Sequence, residues 1–223
     1  MNNFKRITIL CGHYGSGKTG IAVQLALDLK KCYNEIALAD IDIVNPYFRS
    51  TDSAEELEKA GVRLITSAFA GTNLDVPALP QGVNAITDDK SIRAVIDVGG
   101  DDRGATALGR WADKITAEND YEMLAVLNMY RPLTKTAADA VEVMDEISKV
   151  CKIPFTAVIN NSNLGAATTE KDILNSVAFA EETAKSRGLA IKMTTVNETL
   201  YKNLQGKIEN LYPLTLRRRI TIG

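Results

Sequence analysis

One histidine, three cysteines and the lack of any long apolar run narrow the possibilities before any motif is considered. Cys11, Cys32 and Cys151 are odd in number, scattered, and form no C-x-C or C-x-x-C pair. That argues against a disulfide framework and against a thiolate metal site, and a reducing cytoplasmic setting is expected. No stretch approaches the roughly 18 unbroken apolar residues of a spanning helix. Lys5 and Arg6 precede a short apolar run, but it leads into a glycine-rich loop with no cleavage-like segment between, so no signal peptide is expected. A net charge of -2 supplies no general field for nucleic acid, and Arg217-Arg218-Arg219 reads first as a solvated face. What is present is ordinary for a globular chain: 45% hydrophobic and 24% charged residues in a length of 223, enough for one α/β domain with a sizeable core.

Short apolar runs alternate with longer segments of helical period, the pattern of a parallel sheet covered by helices. The expected fold is a three-layer α/β/α domain over 1–223 with a mostly parallel sheet of about seven strands. The strands are expected at Ile7 to Cys11, Glu35 to Ala39, Arg63 to Ser67, Ala94 to Asp97, Met123 to Asn128, Phe155 to Ile159 and Ala190 to Thr195. Their near-continuous apolarity implies burial on both faces. Ala140, Val143, Met144, Ile147 and Val150 share one helical face, as do Ile173, Val177, Ala180 and Ala184. A helix from about Thr19 to Lys31 places Ile21, Leu25 and Leu29 on one side. The stretch 68–89 carries two prolines and Gly/Asn turn signals without clear period, and reads as a loop excursion.

Gly12-His13-Tyr14-Gly15-Ser16-Gly17-Lys18-Thr19 matches G-x-x-x-x-G-K-[ST] between an expected strand and an expected helix. A chain this long shows the pattern by chance roughly once in a hundred, and the strand–helix context lowers that further. Gly12, Gly15 and Gly17 allow the backbone to wrap closely around phosphate oxygens. The loop amides and the N-terminus of the helix that opens at Thr19-Gly20 supply positive potential. Lys18 is expected at the β and γ phosphates, and the Thr19 hydroxyl on Mg²⁺.

Hydrolysis also needs a metal carboxylate and a group that places water. The run from Ile92 to Ile96 ends in Asp97-Val98-Gly99-Gly100, as a Walker B aspartate and its adjoining loop do. Asp97 is expected to hold Mg²⁺ through its water shell, and the Gly100 N–H to sense the γ-phosphate. Another expected strand ends in Asp40-Ile41-Asp42, a pair of carboxylates at the sheet edge where parallel sheets hold ligands. Like charges that close repel unless a cation or donors lie between them, and a Mg-nucleotide is such a cation. Asp40, Asp42 and Asp97 are the candidate metal carboxylates; Asp101 and Asp102 either extend the acidic pocket or are plain solvated loop residues, Asp102 first among them.

On these residues, and on the late run ending Val158-Ile159-Asn160-Asn161, the chain resembles the MinD/ParA/CobQ group of the SIMIBI class of P-loop proteins. The resemblance implies an ATP-binding protein that hydrolyses ATP with Mg²⁺, in at least transient homodimers. It assigns the orientation of attacking water to Asp42 and an adenine contact to Asn161, with Asn160 as the alternative. Relatives with the loop K-G-G-x-G-K-[ST] carry an extra lysine that reaches a partner's nucleotide; here that position is His13. Either His13 faces the phosphates or a partner subunit and makes activity pH-dependent, or it is a loop side chain packed on Tyr14. Asn160-Asn161-Ser162-Asn163 lacks the carboxylate of the guanine motif N-K-x-D, which favours ATP over GTP. The leading function is a nucleotide switch acting on an unidentified partner protein or in metallocofactor maturation. The alternative is an ATP-dependent ligase or kinase like dethiobiotin synthetase, with Asn45-Pro46-Tyr47-Phe48-Arg49 and 68–89 beside the γ-phosphate and Arg49 or Arg103 on an anion. No stable membrane association and no nucleic-acid partner are expected, since Leu216, Ile220 and Ile222 read as a final strand or packed tail.

Overall fold

Aliphatic runs become strands here because a strand covered on both faces buries every side chain. A computed structural model of the chain describes residues 4–41, 52–66, 82–100 and 102–215. β1 (Ile7–Cys11), β2 (Ile36–Asp40) and β6 (Ala157–Asn160) are buried at every position. With β3 (Arg63–Thr66), β4 (Arg93–Asp97), β5 (Tyr121–Leu127), β7 (Ala190–Asn197) and β8 (Leu211–Leu214) they form one eight-stranded sheet, ordered β3-β2-β4-β1-β5-β6-β7-β8. Every pairing in it is parallel.

The helices are α1 (Lys18–Lys30), α2 (Asp52–Lys59), α3 (Gly82–Asp88), α4 (Asp102–Gly109), α5 (Ala112–Glu118), α6 (Ala137–Cys151), α7 (Glu170–Ser186) and α8 (Glu198–Leu204). Strand alternation splits the core in two. Ile7, Ile9 and Cys11 join side chains from α3 to α7 on one face, while Leu10 joins α1 and α2 on the other. The result is a three-layer α/β/α arrangement. α6 and α7 each begin with a capping box, Thr136 with Asp139 and Thr169 with Asp172, which satisfies amides that the helix itself leaves open.

From β1 the chain runs through α1 to β2 and β3 on one side, returns to β4 beside β1, and then builds β5 to β8 on the other side. The carboxyl end of β1 is therefore where the winding reverses, the place at which open parallel sheets bind ligands.

Several expectations are corrected. The sheet has eight strands instead of about seven: β8 contains Pro213, and its edge position tolerates a residue with no N–H to donate. Most other strand boundaries move by one or two residues, β5 beginning at Tyr121 and β6 at Ala157. Part of the supposed 68–89 loop is helix: in α3, Val83 and Ile86 bury one face, and Trp111 Nε1 donates to Asn84 Oδ1 at 2.9 Å. Residues 67–81, and with them the rest of that stretch, lie outside the described residues, as do 42–51, Asp101 and 216–223. Val143 and Val177 are half-buried, while Ser176, Phe179 and Thr183 contribute to the buried side of α7. α1 is buried on more than one side, at Ile21, Ala22, Val23, Leu25, Ala26 and Leu29, because β8 adds Tyr212 and Leu214 to the face already covered by sheet and α2.

Candidate functional site

The loop after β1 is shaped by close approach. Gly12 has φ +149°, and a Cβ there would lie 2.4 Å from the Val126 carbonyl oxygen on β5, so no side chain fits. Ser16 N donates to His13 O at 3.2 Å, closing the loop, and Gly17 (φ 90°) turns it into α1. Lys18 is buried, and its ammonium folds back across the loop to donate to Gly12 O at 2.8 Å and His13 O at 3.1 Å. The Ser16 hydroxyl oxygen is buried without a hydrogen-bond partner among the described residues. An orphaned polar atom in a turn of amides is what an anion cradle presents when nothing fills it.

The carboxylates come from neighbouring strands. Asp40 on β2 and Asp97 on β4 occupy paired positions in the parallel register, and both are buried. Thr19 Oγ1 donates to Asp97 Oδ2 at 2.6 Å, bringing the first turn of α1 onto the end of β4. The next backbone amides continue the sheet, Ile41 N donating to Asp97 O at 3.0 Å and Val98 N to Leu10 O at 3.1 Å. Cys11 lies beneath the loop, and burial, reinforced by the Cys151 thiol, pushes its pKa well above the usual range, so it stays a neutral thiol. Asp42 falls outside the described residues.

Gly100 packs its backbone on the loop: a Cβ there would stand 2.5 Å from the Tyr14 nitrogen and 2.7 Å from its Cα. The segment after β4 and the phosphate loop therefore touch. Tyr14 itself is 65% exposed. His13 Nδ1 lies 3.1 Å from the Tyr14 carbonyl oxygen. Gly20 is exposed on α1, with nothing within 4 Å of a Cβ built there.

The two asparagines diverge. Asn160 turns toward α7: Nδ2 donates to Ser176 Oγ at 2.9 Å and Oδ1 accepts from Ser162 N at 3.2 Å, so its amide is hydrogen-bonded inside the fold. Asn161 braces the phosphate loop. Its Nδ2 donates to Ser16 O at 2.6 Å, and its Oδ1 accepts from the Thr195 hydroxyl on β7. Thr195 and Arg131, which lies over Gly15, were not singled out from the sequence. The only signal for Thr195 was a hydroxyl residue inside an apolar strand, and for Arg131 a basic residue soon after a strand end.

No family model matches the chain, and no curated protein matches it by sequence. Solved structures do. Chloroplast FtsY from Physcomitrella patens superposes with a TM-score of 0.57 at 17% identity, over 89% of this chain and 60% of that one. FtsY from Thermotoga maritima gives 0.52 at 20% identity, over 86% and 62%. The signal recognition particle 54 kDa protein from Aeropyrum pernix K1, in complex with GDP, gives 0.53 at 18% identity, over 87% and 42%. The chain shares the fold of these structures, a parallel sheet covered by helices on both faces. It spans between 42% and 62% of the length of those three structures, and at such identities the likeness is one of fold. Within that fold, residues 12–17 link β1 to α1, which opens with Lys18 and Thr19, and Asp97 ends the strand beside β1. Among the described residues no helix is long and apolar enough to cross a membrane, and no group of three or more His, Cys, Asp or Glu side chains gathers to hold a metal by itself. A hydroxyl and carboxylates beside a phosphate cradle nevertheless suit Mg²⁺, which takes few protein ligands and completes its shell with water and phosphate oxygens.

Proposed function

We propose that the protein is a Mg²⁺-dependent nucleoside triphosphatase that binds ATP at residues 12–19 and works as a nucleotide switch. The observation that carries this is the Thr19–Asp97 pair at 2.6 Å across the mouth of a glycine loop whose buried Lys18 already donates to two loop carbonyls. Those donors are poised to exchange carbonyl partners for phosphate oxygens. Thr19 and Asp97, with Asp40 in matching register, are the residues that would hold Mg²⁺; when bound, the ion neutralises charge on the β and γ phosphates. Lys18 binds the outer phosphates, and the loop amides fix their orientation. Asp42 is the group we assign to orienting the attacking water. The contact between Gly100 and Tyr14 supplies a route by which γ-phosphate occupancy reaches the segment after β4 and so a partner surface, either a second copy or another protein.

ATP is preferred because Asn160-Asn161-Ser162-Asn163 offers no carboxylate to a guanine amino edge. GTP is the second reading, favoured by GDP in two solved neighbours, the Aeropyrum pernix protein and FtsY from Elizabethkingia anophelis. Calorimetry with Mg-ATP and Mg-GTP tests both. Heat is expected for ATP with wild type and none with Lys18→Ala; no heat from wild type with either nucleotide would overturn the proposal. Phosphate release without any added acceptor is expected, and strict dependence on a carboxylate acceptor would indicate a ligase or kinase instead.

A further inference from the structure

The P-loop carries one lysine of its own, Lys18, and shares its end of the sheet with the buried carboxylates Asp40 and Asp97. A polyphosphate chain brings several more negative charges to that place. Another cation already stands there. Arg131, in the segment joining β5 to α6, lies against the loop: a Cβ built at Gly15 would be 3.4 Å from its Nε, 3.6 Å from its Cζ and 3.7 Å from its Cδ. The side chain is exposed, and among the described residues its guanidinium makes no hydrogen bond or ion pair.

Its position follows from the chain around it. Pro132 disfavours helical backbone at the preceding residue, and Arg131 is extended at φ -102° and ψ 143°. The rest of the segment is tied to a buried asparagine. Asn128 Oδ1 accepts from Tyr130 N at 3.0 Å, and Asn128 O accepts from Arg131 N at 3.1 Å and from the Thr134 hydroxyl at 2.7 Å. Tyr130 Oη donates to the Asp172 carbonyl oxygen at 2.8 Å, fastening the segment to α7. The root of the arginine is therefore held on a well-bonded support while its head remains open to solvent at the lip of the loop.

We infer that Arg131 is a second cationic contact for the phosphate tail of the bound nucleotide, supplied by the same chain. The inference rests on the nucleotide site proposed above. A planar guanidinium can present paired N–H donors to phosphate oxygens, whereas the Lys18 ammonium acts as a point charge from within the loop. Because Arg131 is exposed, engaging a phosphate does not first require breaking an ion pair.

Titration of wild type, Arg131→Gln and Arg131→Lys with Mg-ATP, beside their unfolding midpoints without nucleotide, tests it. Arg131→Gln keeps a polar stem and removes the charge, and is expected to weaken binding about ten- to a hundredfold with an unchanged midpoint. Arg131→Lys is expected to recover part of the loss. Arg131→Gln binding within about twofold of wild type overturns the inference and leaves the nucleotide site standing; no binding by wild type overturns both. Should Arg131→Gln also lower the midpoint, Arg131→Lys decides: recovered affinity supports the charge contact, and affinity as low as that of Arg131→Gln overturns it.

Discussion

At the scale of single residues, the glycine loop after β1 is braced by side chains far away in the chain. Asn161 binds the Ser16 carbonyl and is itself oriented by the Thr195 hydroxyl, so a β7 side chain reaches the phosphate loop through one intermediary. Thr195→Val keeps shape while removing that donor and leaves a buried amide oxygen short of a partner, at a cost of about 1–3 kcal/mol. The expected result is a lower urea midpoint together with weaker Mg-ATP binding, read by chemical denaturation and calorimetry. An unchanged affinity would mean that Asn161 holds the loop without help. Residues 12–19, Asp40 and Asp97 could be proposed as a site from sequence because each sits in a recognisable local pattern, and the structure brings Thr19 to Asp97 and Asp40 level with Asp97. The bracing of the loop by Asn161 was not, because Ser16 and Asn161 are 145 positions apart and nothing local to either records the other. Asn160 and Asn161 read alike in sequence; strand alternation sends one to α7 and the other to the loop.

At the scale of elements, β1, β2 and β6 could be read from apolar runs, because burial on both faces leaves no alternation to confuse them with solvent-facing strands, while β3 and β7 are only partly buried. β8 could not. It is short, partly buried and interrupted by Pro213, and its strand character comes from pairing with β7. Its side chains also close over α1, where the Tyr212 hydroxyl donates to Asp28 Oδ2 at 2.6 Å. Burial by itself would raise the Asp28 pKa, but hydrogen bonds from Lys31, Tyr212 and Gln24 outweigh it and hold the carboxyl below its usual value. A depressed folded pKa means stability that is present above the unfolded pKa of Asp28 and lost as pH falls through the folded one. Tyr212→Phe is therefore expected to cost on the order of 1–2 kcal/mol at neutral pH, with the difference from wild type shrinking as the medium is acidified below pH ~4. Denaturation series at pH 7 and pH 3 check this, and a gap as large at pH 3 would place the effect in packing instead of charge.

At the scale of the whole molecule, the carboxyl ends of β1, β4 and β2 lie side by side where the winding of the sheet reverses, so a nucleotide there would rest on β1 and its neighbours on one side. Ligand that binds only the folded state stabilises it by about 2.7 kcal/mol at a hundred times Kd. For a chain of this size that corresponds to a rise in Tm of roughly 5–10 °C. Thermal melts with ATP and Mg²⁺ are expected to show such a rise, and chelation of the metal to remove most of it; a melt unmoved by Mg-ATP would count against the site. The sequence alone determined the glycine loop between β1 and α1, most of the strands and the layered α/β plan, because these depend on which residue types stand next to one another. Tertiary structure decided which distant groups meet: Asp40 level with Asp97, Asn161 under Ser16, Arg131 over Gly15. Those distances are set by the order in which strands pair, and strand order depends on how two-sided apolar surfaces pack together, which no local run of residues specifies.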